Sequence, residues 1–157
     1  MNDASARWSG KEPIVKPIVF SHGTLECRDL VQSRRFYEEF LGLETVRHVE
    51  IPAILTRLPN SCTVVCVQVG DDRVREQRYF NHWGIDVDTR AEVDAAHEKA
   101  VELTDVYGLQ KIQEPQMNHG NYSFYFMDRD GNWWEIQSVD EGNSYDDMFA
   151  HGDRVEM

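Results

Sequence analysis

Cysteine is scarce in this chain: three residues among 157, Cys27, Cys62 and Cys66. An odd number with no C-x-x-C spacing excludes a disulfide framework and a zinc knuckle. Long apolar runs are missing as well, and no stretch approaches the roughly 18–20 residues that a membrane-spanning helix needs. Residues 1–16 are polar with isolated Trp8, Ile14 and Val15, so they lack the apolar centre of a signal peptide. A reducing, cytoplasmic setting is the expectation. Positive charge is in short supply, with 16 Lys and Arg against 28 Asp and Glu, a net charge of −12. That balance disfavours nucleic acid and anionic membranes as partners. Absent too are G-x-G-x-x-G, the P-loop pattern and G-x-S-x-G, which leaves nucleotide binding and serine hydrolysis without a carrier.

What is present is one order of elements, read twice. After a tail over residues 1–16, the run Ile18 to Glu26 reads as a strand. Asp29 is placed to cap a helix in which Leu30, Phe36, Tyr37, Phe40 and Leu41 recur at helical spacing, and Gly42 is placed to end it. Three short strands follow over 43–51, 53–58 and 62–69, divided by Pro52 and by Pro59-Asn60. Residues 70–78 are charged and without apolar period, a connector. The order then begins again: a strand over 79–87, a helix over 91–103, a strand over 111–116, and two strands over 122–128 and 132–139 joined by Asp128-Arg129-Asp130-Gly131. The expectation is an α+β domain over 17–139, built from tandem βαβββ modules (17–69 and 79–139) that form a curved, cup-shaped mixed sheet with helices outside. Residues 140–157 read as an acidic tail or short helix, with Tyr145, Met148 and Phe149 at helical spacing.

Within that plan, three residues fall at matching places. His22 and His82 lie on the two opening strands. Glu135 lies on the last strand in the apolar run Trp133-Trp134-Glu135-Ile136, where an unpaired carboxylate is costly to bury. Two imidazoles and one carboxylate form a facial set that leaves three positions open on an octahedral metal. A bidentate oxygen substrate plus dioxygen or water needs that arrangement. The alternative is two satisfied core histidines and a solvent-facing glutamate. His48, His97 and His151 read as surface residues, and the cysteines as small apolar groups. Trp83, Trp133 and Trp134 suit either a core or an aromatic pocket.

The stretch from Ser21-His22-Gly23-Thr24-Leu25-Glu26 through Arg28-Asp29-Leu30, Phe36-Tyr37 and Leu41-Gly42-Leu43 resembles the opening of a vicinal-oxygen-chelate module. Asn81-His82 and Asp130-Gly131-Asn132-Trp133-Trp134-Glu135 add to the resemblance, which covers residues 17–139. That superfamily includes glyoxalase I, methylmalonyl-CoA epimerase, fosfomycin- and bleomycin-resistance proteins and type I extradiol dioxygenases. It hosts several reactions, so the fold alone does not choose among them. The site pattern is most similar to a single-domain extradiol dioxygenase. This resemblance implies Fe(II) on His22, His82 and Glu135, with Mn, Zn, Ni and Co also accepted by such donors. It further implies a catechol-like aromatic substrate, dioxygen as co-substrate and a homodimer.

Tyr125, ten residues before Glu135, and His119 match the tyrosine and histidine that serve acid–base chemistry in those enzymes. A core tyrosine and a loop histidine without a role are the bland alternatives. A metal-dependent isomerase or epimerase is the second reading, with Gln68 as a fourth ligand on the strand related to that of Glu135. A non-catalytic binder of aromatic ligands is the third. If the last hairpin pairs Met127 with Trp133, Tyr125 sits opposite Glu135 on the same face.

Overall fold

The structure is a computed structural model that describes residues 13–15, 17–59 and 61–152. Residues 1–12 and 16 of the expected tail over 1–16, Asn60 of the expected Pro59-Asn60 divider, and the last residues 153–157 lie outside the described residues. Strand β1 (His22–Cys27) leads to α1 (Leu30–Arg35), which continues as a π-helical turn, Phe36–Phe40. Asp29 caps the helix as expected, its carboxylate accepting from the Val31 and Gln32 amides. Gly42, at φ +68°, turns the chain out of it. Strands β2 (Glu44–Arg47), β3 (Ala53–Arg57) and β4 (Thr63–Gln68) complete the first module.

The second module has β5 (His82–Val87), α2 (Arg90–Glu102), α3 (Thr104–Tyr107), β6 (Gln116–Asn118), β7 (Asn121–Met127) and β8 (Trp133–Ser138). A last helix, α4 (Tyr145–His151), follows. The strand orders are β1-β4-β3-β2 and β5-β8-β7-β6, so the two sheets share one topology. The α+β class and the tandem βαβββ order are therefore as expected; the sheets are curved but not closed. Several boundaries differ; the strands expected over 43–51 and 79–87 are Glu44–Arg47 and His82–Val87. Ile18, Val19 and Phe20 are exposed lead-in rather than strand. The chain over 111–115 is irregular, holding on through the Gln113 amide to the Tyr125 carbonyl.

Each sheet has a back face, covered by helix, and a front face. Strand side chains alternate, so Leu25 and Cys27 of β1 share the back face with Val64 and Cys66 of β4, while His22, Thr24 and Val65 share the front. In the second sheet, Trp134 and Ile136 are back-facing, and Glu135 and Tyr125 front-facing. The back faces of both sheets meet in one core. Phe36 lies edge-on to Trp134 at 5.9 Å and to Phe126 at 6.2 Å, and Tyr37 is 5.7 Å from Trp134. Large apolar side chains buried this way stabilise by about 1.5–3 kcal/mol each. The approach is close: a Cβ on Gly23 would lie 2.3 Å from the Trp83 indole, so only glycine fits there. Helices α1 and α2 thus lie on the faces that turn away from the candidate site.

A hydrogen-bonded clasp reinforces this packing. Asp128 accepts from the Asp130 and Asn132 amides, the Asn132 side chain and the Trp134 indole. Asp130 reaches across to module one, accepting from the Arg28 amide at 2.9 Å and the Ser33 hydroxyl at 2.8 Å. Asn132 donates to the Glu26 carbonyl. The turn chemistry legible in the sequence therefore also ties the modules together.

Candidate metal centre

His82 and Glu135 come together on the front face of the second sheet. Parallel pairing sets Gly84 opposite Glu135 and His82 opposite Trp133, so the imidazole lies one step along the neighbouring strand. His82 Nδ1 is 3.0 Å from the Tyr79 carbonyl, so this nitrogen donates and Nε2 is the one turned to Glu135. Nε2 lies 3.4 Å from Glu135 Oε2, with Glu135 almost fully buried. Either a proton on Nε2 or a metal ion between the two groups satisfies this contact. Donors 2.0–2.2 Å from one ion stand roughly 3.0–3.4 Å apart at ordinary coordination angles, so this pair fits a divalent metal.

Aromatic side chains enclose the pair. Antiparallel pairing sets Met127 opposite Trp133 and Tyr125 opposite Glu135, the register expected from the hairpin. The Tyr125 ring stands edge-on to His82 at 5.1 Å and packs 4.7 Å from Tyr79. Its hydroxyl is buried with no hydrogen-bond partner, an orphaned donor beside Glu135. Burial, and then the Glu135 carboxylate and Tyr79, push the Tyr125 hydroxyl well above an ordinary tyrosine pKa, so it remains a neutral donor. Trp133 is anchored through its indole N–H to the Gln77 carbonyl, which draws the connector over this end of the face. Tyr79 was not singled out in the sequence. Its position three residues before His82, where a backbone carbonyl can turn back onto the imidazole, was the available signal.

The other candidates stand elsewhere. His22 is exposed on the front face of the first sheet, where its ring contacts the Ser21 hydroxyl. His119 is exposed in the β6–β7 turn at φ +52°. Among the described residues no three potential ligands form a cluster within the chain. The strand register also fixes which residue of module one is related to Glu135. Thr24 pairs with Val65 as Gly84 pairs with Glu135, so Val65 is the counterpart. Gln68 falls on the back face, its amide donating to the Arg28 carbonyl at 2.9 Å. Cys27 and Cys66 are buried in the core as small apolar groups.

Residues 19–136 match the Glyoxalase/Bleomycin resistance protein/Dioxygenase superfamily. The chain belongs to this superfamily. Similar solved structures include the fosfomycin resistance protein FosX from Listeria monocytogenes, 20% identical over 82% of this chain and 98% of that one, with a TM-score of 0.64. The oxidase ChaP-H2 is 22% identical over 82% and 98% of the two chains, with a TM-score of 0.61. Lactoylglutathione lyase from Agrobacterium tumefaciens is 20% identical over 78% and 95%, with a TM-score of 0.57. These likenesses establish the shared fold. No curated protein sequence matches the chain. Superfamily members are mostly metal-dependent enzymes, bind divalent metals and small molecules, and are often dimeric. Among the described residues, no helix is long and apolar enough to cross a membrane.

Proposed function

We propose that the protein is an Fe(II)-dependent, extradiol-type dioxygenase acting on a catechol-like substrate, with a site shared between two copies of the chain. The observation that carries this reading is the apolar Val65 at the counterpart of Glu135. It leaves a donor set of two histidines and one carboxylate, the set that keeps coordination positions open for substrate and dioxygen. Gln68, the fourth donor of the isomerase reading, is held on the other face, which favours the dioxygenase reading.

Two features support the shared site. The sheets pack back to back, so the front faces carrying His22 and His82 turn away from each other. Both histidines also lie on edge strands, β1 and β5. A second copy that brings its β1 edge beside β5 supplies its own His22 to the His82–Glu135 pair. By two-fold symmetry the same contact completes a second site.

Bound there, a divalent iron ion supplies Lewis-acid and redox chemistry. The chain's own residues do the rest. The Tyr79 carbonyl holds His82 in the tautomer that presents Nε2. Tyr125 offers a neutral hydroxyl to an oxygen placed next to Glu135, and Trp133, Tyr79 and Met127 packed around it exclude water. His119 is the proposed proton-transfer group, acting from the rim.

The test is oxygen uptake by anaerobically Fe(II)-loaded protein across mono- and polycyclic catechols. Uptake matched one-to-one by ring-opened product is expected. A filled iron site that consumes no oxygen with any catechol sinks the proposal and favours the isomerase class.

A further inference from the structure

The front face of the first sheet is open in the single chain, and in the shared site it becomes the wall opposite Tyr125 and Trp133. Its residues follow from the strand register. His22 pairs with Thr63, and Glu44 with Arg57. Thr56 pairs with Val64, so the ladder continues one step to set Arg57 beside Thr63. His22, Thr63, Arg57 and Glu44 therefore form one row across four strands. The next row is Thr24, Val65, Leu55 and Val46. Between the rows lies a cavity of about 200 Å³ lined by Glu44, Val46, Leu55, Arg57 and Thr63.

The related row of the second sheet holds His82, Trp133 and Met127. One wall of the shared site is thus aromatic, and the other has a guanidinium at its outer end with aliphatic side chains beside it. Arg57 is the one Lys or Arg among the described strand residues of this face. In a chain of net charge −12 it is a local exception to a field that repels anions. It sits two strands from His22, roughly 10 Å across the sheet, about the reach of a substituent on a small ring held at the metal. Its partner Glu44 is 3.5 Å away, and both side chains are more than half exposed. Such a pair contributes little to stability, so exchanging Glu44 for a ligand oxyanion costs little.

We propose that Arg57 is the specificity residue of the site, receiving an oxyanion, carboxylate or phosphonate, carried by a compact ring that packs on Val46, Leu55 and Val65. The inference rests on the shared-site reading above and names its substrate class. A guanidinium matches a carboxylate or phosphonate with two parallel hydrogen bonds, and Thr63 stands beside it with a further hydroxyl.

The experiment is anaerobic calorimetric titration of the Fe(II)-loaded protein with catechol, 3,4-dihydroxybenzoate and 3,4-dihydroxyphenylphosphonate, with iron content measured in each sample. The two anionic catechols should bind at least about tenfold more tightly than catechol, as charge-assisted hydrogen bonds allow. Whichever binds better identifies the oxyanion. Arg57→Gln should erase that preference while iron content and catechol affinity stay unchanged. Arg57→Lys should keep part of it, and Glu44→Gln should increase it. Equal binding of all three ligands, or a preference that survives Arg57→Gln, overturns the anion site and leaves the metal reading standing. Failure of every catechol to bind a filled iron site overturns both.

Discussion

The two modules share one topology and differ in what each presents. Module two is finished: its front face carries a buried carboxylate, an oriented imidazole and a cluster of aromatic rings, with the connector drawn over one end. Module one is bare by comparison, with an exposed histidine, a valine where its sister has Glu135, and an open cavity ending in an ion pair. The difference extends to the turns before the final strands. The Asp128–Asn132 turn binds across to Arg28, Ser33 and Glu26. Its counterpart between β3 and β4 closes on itself, with the Ser61 hydroxyl donating to the Leu58 carbonyl and accepting from the Leu58 amide. Duplication has thus divided the work. On the proposed reading, one copy holds the reacting centre and the clasp, and the other would contribute one ligand and the wall that reads the substrate.

Complementation tests this division most severely. His22→Ala and Glu135→Ala should each abolish oxygen uptake in the separate proteins. Unfolded and refolded together, they should recover about a quarter of wild-type activity, because random pairing makes half the dimers mixed and each mixed dimer retains one intact site. A mixture that stays inactive would mean each chain builds its own site. Next in size, Val65→Glu erases the asymmetry by giving module one the residue of module two. The variant should retain its metal about tenfold more tightly in chelator competition, yet consume oxygen at least about a hundredfold more slowly, with an open position filled.

The turns come third. Asp130→Ala strands buried donors, and denaturant unfolding should show a loss of about 2–4 kcal/mol. Ser61→Ala in the other module should change stability by less than about 0.5 kcal/mol. A pH dependence within the clasp comes last. Burial, offset in part by hydrogen bonds from Asn132 and Trp134, lifts the Asp128 carboxyl to a pKa of about 6. The fold therefore binds more protons than the unfolded chain between about pH 4 and 6, and this group's contribution is fully present below pH 4 and falls as pH rises through 6. The stability cost of Asp128→Asn should accordingly be smaller at pH 7 than at pH 4, by on the order of 2 kcal/mol.

Much of this architecture was legible in the sequence because it is written locally. The cap at Asp29, the stop at Gly42 and the turn at Asp128–Gly131 are short-range chemistry, and the Tyr125–Glu135 pairing follows from the length of that turn. What escaped depends on register between distant strands. Module two is longer by α3 and the irregular 111–115 segment, so spacing along the chain does not carry one module onto the other, and only the β1–β4 pairing selects Val65 as the counterpart of Glu135. Helix α3 and the π-helical turn carry no distinctive spacing. The placement of His22 apart from His82 was equally out of reach, since both stand at the same step of modules with one strand order. It is the packing of Phe36 and Tyr37 against Trp134, a contact between surfaces with no shared local pattern, that turns their faces apart.

Both histidine-bearing strands sit at sheet margins, and this has a consequence for the protein's life in dilute solution. A lone copy on this reading is inert and also presents two templates for unwanted strand pairing. Encounter with a second copy removes both conditions in one step. Specific activity should therefore climb with the protein's own concentration until pairing saturates. On that reading, dilution alone would lower activity without touching a single residue of the site.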